Sequence, residues 1–350
     1  MSDNRFETED IKFRNHRDKR SRLSSLRCLT LLFLGIVGCA SASAQCQVYV
    51  PTHKSNSVSV ISTANNSVTA VIPVGVQPLS AAISPDGKFV YVTNSGWFLP
   101  NNDVSVISTA SNSVVATIPV GQFPIGVAFA PNGQFAYVAN SSSNNVSVIN
   151  TALQAVVSTI TVGASPWGVA FSPNGAFAYV TNQSSNNLSV INTATNTVVA
   201  TVSVGANPTG VAVTPDGSRA YVANYLSNDV SVISTATNTI VNTIPVGTRP
   251  IAVAINSNGT SAYVPNDGDN AVSVINVAAN TVAATIPVQD NPRGVAITPM
   301  GRYVYVSNRI SNTVSVIDAL SNTVVSTVEG VGVFPEAVAI TVVPNGTGCS

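Results

Sequence analysis

The stretch from Pro208 to Gly247 reads PTGVAVTPDGSRAYVANYLSNDVSVISTATNTIVNTIPVG. It holds four short runs rich in β-branched residues, separated by a Pro-Asp-Gly segment and by Ser, Thr and Asn residues. β-branched residues favour a pleated, half-buried strand, and Asp-Gly favours a tight turn between two strands. This stretch therefore predicts one sheet of four short antiparallel strands.

The same pattern occurs seven times along the chain. Each copy carries a Tyr-Val-x-Asn motif or a close variant, mostly about 42 residues after the previous one. Four strands per unit at this period is typical of a β-propeller. We predict an all-β fold, a seven-bladed propeller with four antiparallel strands per blade. The copies begin at Tyr49, Tyr91, Tyr137, Tyr179, Tyr221, Tyr263 and Tyr305.

Four strand types can be assigned from the channel to the rim of the propeller. Strand A is the Gly-Val-Ala-Val segment, strand B the Tyr-Val-x-Asn segment, strand C the Val-Ser-Val-Ile segment and strand D the Ile-Pro-Val segment. We expect the motif Tyr and Val to pack between adjacent blades. We expect the motif Asn to bond loop backbone, a common turn role for this residue.

The two ends of the repeat region are predicted to share one blade. The repeats begin with a B strand near Val48–Thr52 and end with an A strand near Ala337–Val343. Each strand type occurs seven times, so the last A strand is expected to join the first B, C and D strands. This pairing would close the ring and remove an open sheet edge, which otherwise promotes aggregation.

The repeats resemble the YVTN family of β-propellers, found in secreted bacterial proteins and archaeal surface-layer proteins. The resemblance covers about residues 46–349 and is fullest between Pro208 and Gly247. It implies the propeller fold. It implies little about the ligand, because one fold carries many different sites.

Residues 1–44 are predicted to be a leader, and residues 45–350 a single propeller domain. A basic region, the apolar run Leu29–Val37 and small residues before Gln45 follow the order of a secretory signal. The apolar run is shorter than the roughly 20 residues that span a bilayer. We predict export to the periplasm, the extracellular space or the cell surface, with cleavage after Ala44. Lipidation of Cys39 and a start codon downstream of Met1 are alternatives.

The composition excludes some classes of protein. Hydrophobic residues make up 45% and charged residues 9% of the chain, which argues against disorder. Residues 46–350 contain seven Lys or Arg and ten Asp or Glu, so their formal charge is −3. No basic patch in the sequence indicates nucleic-acid binding.

Two cysteines flank the repeats. Cys46 precedes the first B strand and Cys349 follows the last A strand, where other blades have the Pro-Asp-Gly turn. Export permits disulfides. We therefore predict a Cys46–Cys349 disulfide in place of the missing turn, with two unpaired thiols as the alternative.

The sequence gives no clear sign of enzyme chemistry. His53 is the one histidine after the leader, and no His/Cys cluster has metal-ligand spacing. We expect His53 to be a solvated loop residue, and Asp267–Asn270 to be a polar turn rather than a calcium loop. Related propeller lactonases place polar residues around a metal in the channel, whereas strand A is apolar and small here. We therefore assign no catalytic residue, cofactor or metal ligand.

The face formed by the B–C and D–A loops, called the top face, carries the candidate binding residues. Loops on a rigid scaffold commonly carry function, and exposed aromatic patches mark interaction sites. We expect an aromatic sector opposite a charged sector. The alternative for Trp97 and Phe98 is that they fold back and plug the channel mouth. The candidate residues are Trp97, Phe98, Phe123, Trp167, Tyr225, Arg249, Asp290, Arg293 and Glu336.

Our interpretation is an exported, non-catalytic propeller that binds a protein, peptide or glycan through the top face, or serves as a cell-envelope scaffold. One alternative is a hydrolase or lyase of lactonase type at the channel mouth, using Asp290, Arg293 or Glu336. Another is a surface-layer structural protein that associates with copies of itself.

Overall fold

The repeats fold into seven antiparallel sheets of four strands around a common axis. The computed structural model describes residues 46–96 and 102–341. The predicted seven-bladed all-β propeller is confirmed. In the part of the chain that the structure describes, there is no helix of the length and hydropathy needed to cross a membrane.

The strands are numbered in chain order and listed here by blade. Blade 1 combines β28 (Ala339–Ile340) with β1 (Gln47–Thr52), β2 (Ser57–Ser62) and β3 (Ser67–Pro73). Blade 2 contains β4 (Pro78–Ile83), β5 (Phe89–Asn94), β6 (Asp103–Ser108) and β7 (Ser113–Pro119). Blade 3 contains β8 (Pro124–Phe129), β9 (Phe135–Asn140), β10 (Asn145–Asn150) and β11 (Ala155–Thr161). Blade 4 contains β12 (Pro166–Phe171), β13 (Phe177–Asn182), β14 (Asn187–Asn192) and β15 (Thr197–Ser203). Blade 5 contains β16 (Pro208–Val213), β17 (Arg219–Asn224), β18 (Asp229–Ser234) and β19 (Thr239–Pro245). Blade 6 contains β20 (Ala254–Ile255), β21 (Ser261–Asn266), β22 (Ala271–Asn276) and β23 (Thr281–Pro287). Blade 7 contains β24 (Pro292–Ile297), β25 (Tyr303–Asn308), β26 (Thr313–Asp318) and β27 (Thr323–Val328).

Blade 1 contains strands from both ends of the described chain, since β28 pairs antiparallel with β1. Next to this pairing, the Thr341 amide donates to the Gln47 carbonyl at 2.9 Å, and the Gln47 amide donates to Thr341 Oγ1 at 2.8 Å. The same two bonds join Thr214 to Arg219 in blade 5, at 2.9 and 3.1 Å. Blade 1 therefore has the hydrogen bonds of an ordinary A–B junction.

Cys46 lies directly before β1, is fully buried and is disulfide-bonded. Cys28, Cys39 and Cys349 lie outside the described residues, so the pairing of Cys46 with Cys349 stays a prediction. The predicted leader, the lipidation site and the residues Trp97 and Phe98 also lie outside them.

The motif tyrosines form the contacts between neighbouring blades. All seven are at most 2% exposed. Tyr221 of β17, for example, packs against Val264 of β21 in the next blade. Its hydroxyl donates to Asn280 Oδ1 in that blade at 2.9 Å. The structural role expected for the motif Tyr is confirmed.

The motif asparagine has a different role from the predicted one. Asn224 is fully buried, and its Nδ2 donates to Asp229 Oδ1 at 2.6 Å and to Ser231 Oγ at 2.8 Å, both in β18. A Cβ added to Gly205 in the preceding D–A loop would lie 2.6 Å from the Asn224 amide. The expectation of a bond to loop backbone is wrong. This residue cross-links strands B and C, and the loop glycine leaves space for it.

Candidate functional site

Each D–A loop carries a proline at the same position of the repeat, just before the residue nearest the mouth of the channel in most blades. The residue before the proline has a positive φ in all seven blades, for example +58° at Arg249. A side chain of the preceding blade fixes this conformation, because Asn228 Oδ1 accepts a hydrogen bond from the Arg249 amide at 2.9 Å. Positive φ is unusual for residues other than Gly, so this bond helps to hold a strained loop.

The residues that follow the seven prolines form what we call the inner ring. Six of them line one cavity of about 220 Å³ at the channel mouth, which we call the mouth cavity. The two charged members of the ring are neighbours, in blades 7 and 1. From blade 2 round to blade 1, the inner ring consists of Leu79, Ile125, Trp167, Thr209, Ile251, Arg293 and Glu336.

A second ring surrounds the first and is made by the residues that follow the motif asparagines. We call it the outer ring. Its members have fixed positions because each amide donates to the carbonyl of the residue before the loop proline, as Tyr225 does to Asn207 at 3.0 Å. From blade 1 to blade 7, the outer ring consists of His53, Ser95, Ser141, Gln183, Tyr225, Asp267 and Arg309.

The ionisable side chains of both rings lie in blades 5, 6, 7 and 1. Blades 2, 3 and 4 contribute only aliphatic, tryptophan, serine and glutamine side chains to these rings. Trp167 of blade 4 lies across the axis from blades 7 and 1. We call the ionisable set the polar arc: Tyr225, Asp267, Arg293, Arg309, Glu336 and His53.

Glu336 is the central carboxylate of the polar arc and is 7% exposed. Arg309 Nε donates to its Oε1 at 2.7 Å, and Arg293 Nη1 lies 3.5 Å from its Oε2. Burial raises the pKa of Glu336 above its ordinary value, although both guanidinium groups act in the opposite direction. The Arg309 guanidinium also stacks on the Phe334 ring, with Cζ 4.2 Å from the ring centroid.

Asp267 and Tyr225 form the second part of the polar arc. Asp267 is 6% exposed, and its Oδ2 accepts a hydrogen bond from the Tyr225 hydroxyl at 2.9 Å. Burial raises the pKa of Tyr225, and the bond to Asp267 raises it further. Residues 267–270 form a turn, as expected, and within this turn the Asp267 side chain is buried.

His53 does not lie in solvent as predicted. It is half-buried, and its Nδ1 is buried without a hydrogen-bond partner. Burial lowers the pKa of His53 to about 4, helped by the positive charges of Arg309, Arg293 and Lys54. The imidazole is therefore neutral at physiological pH.

This shift predicts a pH dependence of stability. Because the folded-state pKa lies below the unfolded value of about 6.5, the unfolded chain binds the proton more readily between these values. The contribution of His53 to the free energy of unfolding is complete above pH 6.5 and declines as the pH falls toward 4. Urea unfolding at several pH values should show a steeper loss for the wild type than for His53→Gln. Parallel curves for the two proteins would refute this assignment.

Four buried polar atoms near the polar arc have no hydrogen-bond partner: His53 Nδ1, Asp267 Oδ1, Asn291 Oδ1 and Arg293 Nε. An unpaired buried polar atom costs about 1–3 kcal/mol, so each one requires an explanation. The other unpaired buried atoms of the described residues recur around the ring. They are the Oδ1 atoms of Asn94, Asn140, Asn182, Asn224, Asn266 and Asn308, and of Asn238 and Asn322 in C–D turns.

The structure brings some of the predicted binding residues together and separates others. Trp167, Arg293 and Glu336 line the mouth cavity, whereas Tyr225, which bonds Asp267, is not part of its lining. Arg249 is exposed and lies 5.9 Å from the centroid of the Tyr225 ring. Asp290 is exposed and accepts a hydrogen bond from Asn270, away from the cavity lining, and Phe123 lies in the D–A loop of blade 3.

The candidate binding residues chosen from the sequence do not include His53, Asp267 and Arg309. They occupy the same position of the repeat, directly after the motif Asn or Thr52. Comparing that position across the seven copies would have found them. Within residues 46–96 and 102–341, no group of three or more His, Cys, Asp or Glu side chains could hold a metal ion.

Two family models match parts of the chain. The model described as "Lactonase, 7-bladed beta-propeller" matches residues 193–338, and the "Choice-of-anchor I domain" matches residues 37–207. Each match covers less than half of the 350 residues. A comparison with curated proteins finds no match.

Solved structures share the fold at low sequence identity. A chain of hydrazine synthase from Kuenenia stuttgartiensis has a TM-score of 0.72 and 24% identity, over 78% of this chain and 92% of that chain. A protein of unknown function from Desulfotomaculum acetoxidans has a TM-score of 0.74 and 22% identity, over 84% of this chain and 98% of that chain. With the partial family matches, these similarities identify the chain as a β-propeller protein that is similar in part to the lactonase propeller and to the choice-of-anchor I domain.

Proposed function

We propose that this protein is an exported, non-catalytic binding module, and that its ligand occupies the mouth cavity between the polar arc and Trp167. The observation that supports this most is that two charged side chains, Arg293 and Glu336, line the same cavity as Trp167, and that Arg293 Nε is buried without a hydrogen-bond partner. The predicted leader and the partial match to a choice-of-anchor domain support a location outside the cytoplasm. The repeated Tyr-Val-x-Asn motif supports membership of the YVTN family.

The mouth cavity limits the kind of ligand. Its volume of about 220 Å³ lies below the roughly 300–1,000 Å³ of pockets for drug-sized molecules, so the ligand is small or inserts only one end. Trp167 and Ile251 form an apolar wall of the cavity, and Arg293 and Glu336 contribute one positive and one negative side chain to its lining. An apolar surface with a few convergent polar groups is the usual make-up of a small-molecule site.

A thermal-shift panel tests this proposal. Free amino acids, hydroxy acids, monosaccharides, uronic acids and short peptides would each be added to the folded protein. A ligand that binds only the folded state at 100 times its Kd stabilises it by about 2.7 kcal/mol, which is measurable as a rise in Tm. We expect at least one compound class to raise the Tm of the wild type and to have no effect on Glu336→Gln.

The matched control is the other strong carboxylate–arginine pair, Arg302 with Asp318, at 2.6 Å. Arg302 lies in the A–B turn of blade 7, at the end of the blade away from the top-face loops. Arg302→Gln should keep the full ligand response. A panel in which no compound stabilises the wild type, or in which Arg302→Gln and Glu336→Gln respond alike, would reject a binding site at the mouth.

A second candidate function is lactone hydrolysis at the same cavity. The observation that favours it is the lactonase match to residues 193–338, which contain five of the six polar-arc residues, all but His53. A pH-stat assay with δ-valerolactone separates the two functions. Hydrolysis that Glu336→Gln abolishes and Arg302→Gln retains would favour the enzyme, and binding without turnover would favour the binding module.

A further inference from the structure

A second cavity lies between blades 2 and 3, among A–B and C–D turns at the end of the propeller away from the top face. We call it the lower cleft. Its volume of about 510 Å³ lies within the roughly 300–1,000 Å³ of small-molecule pockets, and its lining includes Phe89, Tyr91 and Phe129. We propose that the lower cleft binds a small neutral aromatic molecule with a carboxamide group, whose oxygen accepts a hydrogen bond from the Tyr91 hydroxyl. This site is separate from the mouth cavity and does not depend on the proposed function.

The motif tyrosines can bond the next blade through their hydroxyl groups. In blades 1, 3, 5 and 7, this hydroxyl donates to an asparagine in the C–D turn of the following blade. Tyr49 of blade 1, for example, donates to Asn112 Oδ1 of blade 2 at 2.7 Å. Six of the seven C–D turns have asparagine at this position, and the exception is Gln154 of blade 3. The motif tyrosine of the preceding blade is Tyr91.

Tyr91 lacks the asparagine partner. Its side chain is 2% exposed, no hydrogen bond of the described residues includes its hydroxyl, and its oxygen is not among their buried unpaired atoms. The hydroxyl is therefore accessible from the lower cleft, which Tyr91 lines. Burial raises the pKa of Tyr91, so the hydroxyl keeps its proton and remains a donor. A ligand can supply the carboxamide oxygen that asparagine supplies in other blades.

The lower cleft is larger than the corresponding clefts at two regular blade junctions. The clefts between blades 4 and 5 and between blades 5 and 6 have volumes of about 240 and 280 Å³. Both junctions have asparagine in the C–D turn, at Asn238 and Asn280. The junction with the altered turn residue thus has the space for a ligand.

The walls of the lower cleft favour an aromatic ligand. The rings of Tyr91 and Phe129 meet edge to face with their centroids 4.7 Å apart, and Phe89 adds a third ring to the lining. Phe89 and Phe129 are half-buried, so part of each ring is accessible. Aromatic rings attract one another in edge-to-face and offset-stacked arrangements, so a fourth ring fits these walls.

The charges around the lower cleft favour a neutral ligand. Asp86 is in the lining, and its Oδ2 lies 3.1 Å from Lys88 Nζ. No Lys, Arg or His is among the described residues that line the cleft. A carboxylate ligand would lose hydration there without gaining a cationic partner, whereas a carboxamide oxygen accepts the same hydrogen bond without carrying a charge.

A ligand-detected NMR titration of the wild type tests this inference. Benzamide has the ring and the neutral carboxamide, benzoate has a charged group in its place, and acetamide lacks the ring. We expect benzamide to bind, and the other two to bind at least about tenfold more weakly, a factor that corresponds to 1.4 kcal/mol. N-acetyl-D-glucosamine carries an amide on a sugar ring, and tighter binding of this sugar than of benzamide would overturn the aromatic assignment.

Two variants place the ligand in the lower cleft. Gln154→Asn restores the regular turn, so the new side chain should bond Tyr91 and weaken benzamide at least about tenfold, the same factor as above. It should also raise the Tm, because asparagine tolerates the φ of +51° at this position better than glutamine does. Tyr91→Phe should fold and bind benzamide more weakly than the wild type.

The matched control is Gln122→Asn, the same substitution at an exposed position of the D–A loop of blade 3. It should bind benzamide like the wild type. Equal benzamide affinities of the wild type and Gln154→Asn would overturn the inference, as would a wild type that does not bind benzamide. Neither result would affect the mouth cavity, which the thermal-shift panel and Glu336→Gln test separately.

Discussion

Replacing Cys46 with alanine is expected to lower the free energy of unfolding of the oxidised, exported protein by up to about 5 kcal/mol. Cys46 is fully buried and disulfide-bonded, and we predict Cys349 as its partner. A bond between these positions closes a loop of almost the whole propeller. In the chain-entropy model a longer closed loop restricts the unfolded chain more, which gives this large value.

Chemical unfolding with and without reductant measures this effect. Cys46→Ala, Cys349→Ala and the double variant should lose the same free energy, because any of them removes the one bond. The wild type with reductant should be destabilised by nearly as much. A Cys349→Ala variant as stable as the oxidised wild type would show that Cys46 has a different partner.

Replacing Glu336 with leucine is expected to destabilise the protein by about 3 kcal/mol. The substitution leaves Arg293 and Arg309 without their carboxylate, and removing one partner of a buried ion pair strands a buried charge. The value lies at the lower end of the usual range because the two arginine side chains are 23% and 26% exposed, so water can solvate them in part.

A triple variant separates lost charge compensation from lost packing. Arg293→Met, Arg309→Met and Glu336→Leu together remove all three charges, and apolar replacements of buried ion networks are often neutral or stabilising. We expect the triple variant to recover most of the stability lost by Glu336→Leu, as measured by urea unfolding. A triple variant less stable than the single one would mean that shape rather than charge governs this region.

The scaffold was predictable because its signals are local and repeated. The β-branched strands and the Asp-Gly turn of Pro208–Gly247 are determined by residues within one blade. Because the pattern repeats along the chain, the structure predicted for one copy applies to all seven. The burial of the motif Asn was not predictable in this way. It depends on a glycine in the preceding D–A loop, such as Gly205 beside Asn224, and strand periodicity carries no information on that contact.

The site was predictable only in part. Arg293 and Glu336 stand out because the other copies have uncharged residues after the loop proline. The contacts of Arg293 and Glu336 with each other and with Arg309 depend on how the side chains of the loops are oriented. The burial of Asp267 and His53 depends on the same orientation in the B–C loops. Loop composition alone suggested a polar turn at residues 267–270 and a solvated histidine, whereas the structure buries the Asp267 side chain and the Nδ1 atom of His53.

A crystal structure with the most stabilising compound of the panel tests the central claim most directly. The claim is that a regular scaffold carries one irregular polar arc, and that this arc binds a ligand in the mouth cavity. We predict electron density for the compound in that cavity, within hydrogen-bond distance of Arg293 or Glu336 and in contact with Trp167. Density for the compound at another surface, with only water in the mouth cavity, would contradict it.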